Sequence, residues 1–168
     1  MSLITPHGAT SLTPLLATGQ RLAELEAESA RLPSITVSSA AAANAVMLGA
    51  GYFTPLKGYM NRCDALSVAT DLKTTDDLFW PVPVLNMVER FDGNLGDRIA
   101  LRDPNVDGAP VIAVMDVTGI ECLSDDDMTL MTREVFGTND PNHPGVETFN
   151  AQGLSLIHIS EPTRPNFI

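Results

Sequence analysis

The order of patterned segments predicts an α+β domain. Helical periodicity dominates the stretch up to Leu72, short β-type alternation replaces it from Trp80 to Leu123, and one well-capped helix follows. No internal repeat interrupts this order.

Met1 to Pro14 is polar and turn-rich and is expected to wrap over the surface. Gly19 to Leu32 reads as a helix, because Leu22, Leu25, Ser29 and Leu32 recur at spacings of three and four and form one narrow stripe. Pro33 stops it. Ser34 to Val37 is a short β-prone piece. Ser38 or Ser39 can cap a second, alanine-rich helix through Ala40 to Leu48, which Gly49 and Gly51 end. Tyr52 to Met60 is an irregular aromatic turn. Asn61 can cap a third helix that ends near Leu72, with Asp64 in its first turn.

Pro81 to Val88 reads as a strand, at an edge or a strand entry because of its prolines. In Arg98 to Asp103, Ile99 and Leu101 alternate with charged or small residues, which predicts a half-buried strand. Asn105 to Gly108 is a hairpin-type turn. Val111 to Asp116 and Val117 to Leu123 extend the β region, giving a small antiparallel sheet or barrel. Ser124 caps a helix ending near Phe136-Gly137, and Asp125, Asp126 and Asp127 place carboxylates at its positive end.

Length and composition bound the rest. A chain of 168 residues with 44% hydrophobic residues suffices for one domain with a real core, and 5% aromatics makes that core aliphatic. The net charge of −11 opposes binding to nucleic-acid phosphates and anionic membranes, and the ten Lys and Arg residues form no basic run. Cys63 and Cys122 make no disulfide framework and read as two reduced, partly buried thiols. The first ten residues lack the pattern of a signal peptide, and no apolar run reaches the ~20 residues of a membrane span, so the expected compartment is the cytoplasm.

The chemistry-bearing motifs have plain structural readings. Asp125-Asp126-Asp127 fits a helix start and lacks the alternating ligands of a calcium loop. Gly49-Ala50-Gly51 lacks the Gly-Lys-Ser/Thr continuation of a phosphate loop and reads as a helix stop. His143, in the turn Asn139 to Gly145, has neither His7 nor His158 near it in sequence, so a metal site or catalytic triad is not supported. It reads as a structural or solvated residue, or as one that caps or orients a neighbouring domain.

Leu154 to Ile168 (LSLIHISEPTRPNFI) resembles a translated sequencing-library adapter, and it shows no pattern continuing the domain. The chain is therefore divided into a domain at 1–153 and a non-native tail at 154–168.

Four ordered blocks carry a family resemblance. AAANAVMLGAGYFTPLKGYMN, from Ala41 to Asn61, is similar to the ATP sulfurylase signature in which a helix ends in paired glycines before F-[ST]-P-L-x-G-[FY]-M. Phe79 to Val84 resembles L-[FW]-P-[IV]-P-[IV], Gly96 to Pro104 resembles G-D-R-I-A-L-R-D-P, and Val135 to Val146 resembles V-[FY]-G-T-x-D-x-x-H-P-G-V. Asn44 to Met47 and Arg102 to Gly108 resemble the form found in sulfur-oxidising or sulfate-respiring bacteria.

The resemblance implies a PUA-like β-barrel domain with N-terminal helices, packed against a larger nucleotide-binding α/β domain. It implies adenylyl transfer: sulfate attacks the α-phosphorus of MgATP, giving adenosine 5′-phosphosulfate and pyrophosphate, with the reverse reaction in sulfur oxidisers. The family's catalytic motifs, Q-[TS]-R-N-P-x-H and G-R-D-H, belong to the second domain. Neither occurs here, and Thr163-Arg164-Pro165-Asn166 mimics the first only in composition. No catalytic, cofactor-binding or metal-binding residue is therefore assigned, and MgATP belongs to the full enzyme. The implied partners are the C-terminal catalytic domain, sulfate, ATP, adenosine 5′-phosphosulfate and pyrophosphate, with a homo-oligomer as the complete form.

Gly51, Gly58, Arg98, Arg102, Asp103 and His143 stand as structural or interdomain candidates. The glycines would permit close turns, and the others would pair within the domain or across to the second one. Two other functions follow different logic. PUA-like barrels often bind RNA, which the charge opposes. An assembly domain would act through protein contacts alone.

Overall fold

The computed structural model describes residues 4–158 and 166–167. The elements in chain order are α1 (Gly19–Ser29), β1 (Ser34–Thr36), α2 (Ser39–Gly49), α3 (Arg62–Asp71), β2 (Met87–Val88), β3 (Arg98–Arg102), β4 (Val111–Asp116), β5 (Gly119–Cys122), α4 (Asp125–Phe136), α5 (Pro144–Asn150), β6 (Ser155–His158) and β7 (Asn166–Phe167). The α+β class and the helix-first order are those the sequence predicts.

The strands form two small sheets, ordered β1-β3-β4-β7 and β2-β6-β5. The first is mixed. β1 runs parallel to β3 (Ile35 opposite Leu101), while β3 and β4 are antiparallel with a register shift between Leu101 and Arg102. The expected half-buried strand is covered on both faces, since Ala100 is as buried as Ile99 and Leu101. The parallel β1 cannot reach β3 by a hairpin, and two helices, α2 and α3, lie between them in the chain.

The caps explain the helix starts. The Ser38 hydroxyl accepts from the Ala41 amide and the Asn61 side chain from the Asp64 amide, each satisfying a donor that the first turn leaves free. Ser124 and Asp127 make a reciprocal capping box at α4. Helix α1 ends at Ser29, three residues before the predicted stop, because the residue preceding Pro33 is sterically pushed out of the helical region. Its predicted stripe is buried at Leu25 and Ser29 and half-buried at Leu22 and Leu32.

Small residues let α2 sit close to the core: Ala41, Ala42 and Ala45 are buried, and the Tyr59 hydroxyl donates to the Ala41 carbonyl at 2.8 Å. Burial pushes the Tyr59 phenol well above its ordinary pKa. The core is largely aliphatic, as the composition requires. Leu48, Val68, Val84, Met87, Ile99, Leu101, Met115, Leu123 and Met131 are nearly inaccessible, each worth about 1.5–3 kcal/mol of transfer free energy. Trp80 closes one side, edge-on to Phe53 at 5.6 Å.

Three expectations need correction. Of Pro81 to Val88, only Met87 and Val88 pair as a strand, because Pro81 and Pro83 have no amide to donate. The segment is held instead by the Met60 amide on the Val84 carbonyl, 2.8 Å, and by Asn44 on the Leu85 carbonyl, 3.4 Å. Cys63 and Cys122 are free thiols as read, but both are exposed rather than partly buried, at the ends of α3 and β5. A helix the sequence reading leaves as a turn, α5, follows His143. After Gly153, β6 lies as the middle strand of the second sheet, pairing Met87 with Leu156 and Cys122 with Ser155. Residues 159–165, and with them most of the Thr163–Asn166 mimic, lie outside the described residues.

Candidate functional site

The six singled-out residues do not come together. Gly51 is buried with φ at +80°, and a side chain there would press on the Pro14 backbone at 3.0–3.2 Å. Its carbonyl accepts from Thr54 Oγ1 at 2.7 Å, and Thr54 in turn accepts from the Thr13 amide. The amides of Leu15 and Leu16 meet the Gly49 carbonyl nearby, so this turn fastens the N-terminal segment to the end of α2. Gly58 is buried, and its backbone stays outside the left-handed region.

Arg98 lies between Glu28 of α1, 3.0 Å away, and Asp116 of β4, 3.4 Å away. Its Nε makes the Asp116 contact as an ion pair without a hydrogen bond. Arg102 donates to Ser34 Oγ and to the Ala109 carbonyl, tying β1 and the hairpin loop to β3. Asp103 accepts from the Asn105 amide and side chain, which shapes that loop. His143 caps α5, with Nδ1 accepting from the Gly145 amide at 3.2 Å and its ring 5.8 Å from Phe136. All these contacts are within the domain.

The acidic start of α4 is likewise spoken for. Asp127 receives Nε and Nη2 of Arg62 at 2.8 and 2.7 Å, and with Ser124 it completes the capping box. The Arg62 guanidinium holds the Asp127 carboxyl down to about 2, helped by the Ser124 hydrogen bonds. Among the described residues no group of three or more His, Cys, Asp or Glu side chains is placed to hold a metal ion.

Two grooves lie elsewhere and share Thr148 and Gln152 of the α5 region. The first, about 480 Å³, runs between α2, the 82–85 segment, α4 and α5. Val82, Pro83, Leu85, Met131, Val135, Phe136, Pro144 and Phe149 line it, and among the described residues no charged side chain does. Val82 and Val135 are 50% and 36% exposed. The packing of α5 makes this groove: Phe136 meets Phe149 edge-on at 6.0 Å, and any side chain at Gly145 would run into the Phe136 ring. The second groove, about 840 Å³, lies between β1, β2 and α5, with Ser38 Oγ donating to Gln152 Oε1 beside it. None of the six candidates lines either groove.

Sequence reasoning missed both grooves because it missed α5. The signal was present: Pro144 in the first turn, Glu147 at the dipole's positive end, and Val146 and Phe149 three apart on one face.

The PUA-like domain family profile matches residues 4–158. Sulfate adenylyltransferase from Alcanivorax borkumensis is 55% identical over 159 residues, 94% of this chain and 40% of that protein. Sulfate adenylyltransferase from Allochromatium vinosum is 55% identical over 157 residues, 92% of this chain and 40% of that one. The chain thus spans about 40% of the length of these curated relatives. Among solved structures, the hexameric APS kinase from Thiobacillus denitrificans superposes with a TM-score of 0.61 at 26% identity, over 74% of this chain and 25% of that one.

Proposed function

The chain belongs to the PUA-like domain family and corresponds to the N-terminal domain of the sulfate adenylyltransferases, and from that premise we propose that it is the accessory, non-catalytic part of such an enzyme. The reaction of the complete protein is adenylyl transfer. A sulfate oxygen attacks the α-phosphorus of MgATP, pyrophosphate leaves, and adenosine 5′-phosphosulfate forms; the reverse direction makes ATP. The groups that position and neutralise a crowded phosphate belong to the rest of the enzyme.

The apolar groove carries this reading. ATP, sulfate and pyrophosphate are anions, and a site for them needs converging cations or amides, whereas among the described residues no charged side chain lines this groove. Arg62, Arg98 and Arg102 are held by partners inside the domain. A concave apolar surface with exposed valines suits a protein surface, here the remainder of the enzyme chain.

The resemblance of Asn44 to Met47 and Arg102 to Gly108 to the sulfur-oxidising or sulfate-respiring form assigns the complete enzyme to dissimilatory metabolism. A cytoplasmic location suits its nucleotide chemistry, and no helix among the described residues is long and apolar enough to cross a membrane. A homo-oligomer is the proposed complete form. We place the boundary of the native domain at Gly153 on the adapter-like sequence after it. The family match reaches residue 158 and β6 fills the slot between β2 and β5, so sequencing the source gene across codon 153 decides the boundary.

The functional test is co-expression with the remaining part of the Alcanivorax borkumensis enzyme. The two parts should associate and make ATP from adenosine 5′-phosphosulfate and pyrophosphate, while the chain alone should not. Val82→Asp and Val135→Asp should abolish association without lowering the melting temperature of the isolated chain. Activity of the chain alone, or association indifferent to both substitutions, would overturn the reading.

A further inference from the structure

The second groove is bounded by two open sheet edges. In a parallel ladder, alternate residues direct their amides and carbonyls to the partner strand. Here the Pro33 carbonyl accepts from Ala100 and the Val37 amide donates to Arg102, both on the β3 side. The amides and carbonyls of Ser34 and Thr36 therefore face away from β3. β1 is the terminal strand of its sheet, and β2 is the terminal strand of the other. Residues of both, Ile35 and Thr36 from one and Met87 and Val88 from the other, line the same groove. Unpaired edges of this kind are templates for an added strand.

The charge on the groove narrows what the added strand is. Glu89 and Glu147 line it, and neither carboxylate has a hydrogen-bond or ion-pair partner among the described residues. Its one cation among the described residues, Arg90, is held by Asp92 at 2.6 Å. The groove is thus net acidic, and its complement is basic. A second copy of this chain is a poor source, because 21 acidic residues stand against ten basic ones. The relatives, by contrast, carry more than half their length outside the matched region.

We propose that the groove between β1 and β2 takes an extended, Lys- or Arg-bearing segment from the remainder of the longer enzyme chain, which adds as a strand and joins the two sheets. The inference rests on the assignment of this chain as one part of that enzyme. The main chain of the segment would bond to Ser34 and Thr36 on one side and to β2 on the other, and its basic side chains would meet Glu89 and Glu147.

The test scans overlapping synthetic peptides covering the rest of the Alcanivorax borkumensis enzyme against the purified chain. A basic, β-prone peptide should bind and slow hydrogen exchange at the Ser34 and Thr36 amides by about tenfold or more. Thr36→Pro removes a donor that β3 does not use, and the double variant Glu89→Lys/Glu147→Lys leaves the backbone intact; each should weaken binding about tenfold. Absence of any such peptide, or binding indifferent to both variants, overturns the proposal. So does a Thr36→Pro-sensitive self-association of the chain, which would make a second copy the occupant. If the co-expressed remainder associates through Val82 and Val135 but ignores Thr36→Pro and Glu89→Lys/Glu147→Lys, this inference falls while the apolar-groove reading stands.

Discussion

Arg62 and Asp127 pin the first turns of α3 and α4 to each other through two charge-assisted hydrogen bonds, 2.8 and 2.7 Å long. The residues are far apart in sequence, and the Arg62 amide also donates to Glu121 at the end of β5. Asp127 is mostly buried, so it depends on this partner and on Ser124. Asp127→Asn should destabilise the chain by about 1–3 kcal/mol, the usual cost of an unsatisfied buried group. The pH dependence has a definite sign. The folded carboxyl lies at about 2, below its ordinary 3.8. The contribution is therefore complete above the ordinary value and is lost as pH falls from there toward the folded one. Urea midpoints across that acid window should fall more steeply for the unaltered chain than for Asp127→Asn.

Gly153 meets a tighter constraint. Its φ is +90°, and a side chain there would collide with the Glu89 backbone and the Val88 carbonyl where β2 ends. Gly153→Ala should cost about 2 kcal/mol or more, since backbone cannot yield as a side-chain tip can. Gly96 has a similar φ of +87° with open space around it, so Gly96→Ala should cost only about 1 kcal/mol. Thermal melts of the two variants separate conformational strain from steric collision.

Asn86 is fully buried, and both of its side-chain polar atoms lack a hydrogen-bond partner. Such a group lowers stability relative to an apolar one of similar shape. Asn86→Leu should leave the denaturation midpoint unchanged or raise stability by about 1 kcal/mol. A large loss would show that Asn86 is satisfied in solution, for instance by an internal water.

His143 acts as a cap for a helix of seven residues. His143→Ala should destabilise the chain by about 1 kcal/mol, and His143→Ser, a better cap by type, should recover most of it. The matching readout is amide exchange at Gly145, which should quicken in the first variant and slow again in the second.

Much of this fold is legible locally. Ser38, Asn61 and Ser124 announce their helices by side-chain chemistry that needs no tertiary context, and each caps as expected. Ile99 and Leu101 announce a strand by alternation, though its burial on both faces is not in that pattern. The site is less legible. Arg98, Arg102, Asp103 and His143 stand out by resemblance, yet their partners are Glu28, Asp116, Ser34, Asn105 and Gly145 of the same domain. The grooves are made by side chains unremarkable in sequence, such as Val82, Val135 and Thr36.

The sequence by itself determined the α+β class, most helix boundaries and the family, because caps, period and ordered motif blocks are local or linear properties. Only the tertiary structure decided that β1 runs parallel to β3, that Asp127 belongs to Arg62, and that the open edges of β1 and β2 face one groove. Those relationships join residues far apart in the chain, and no local pattern encodes which distant segment fills the space beside them.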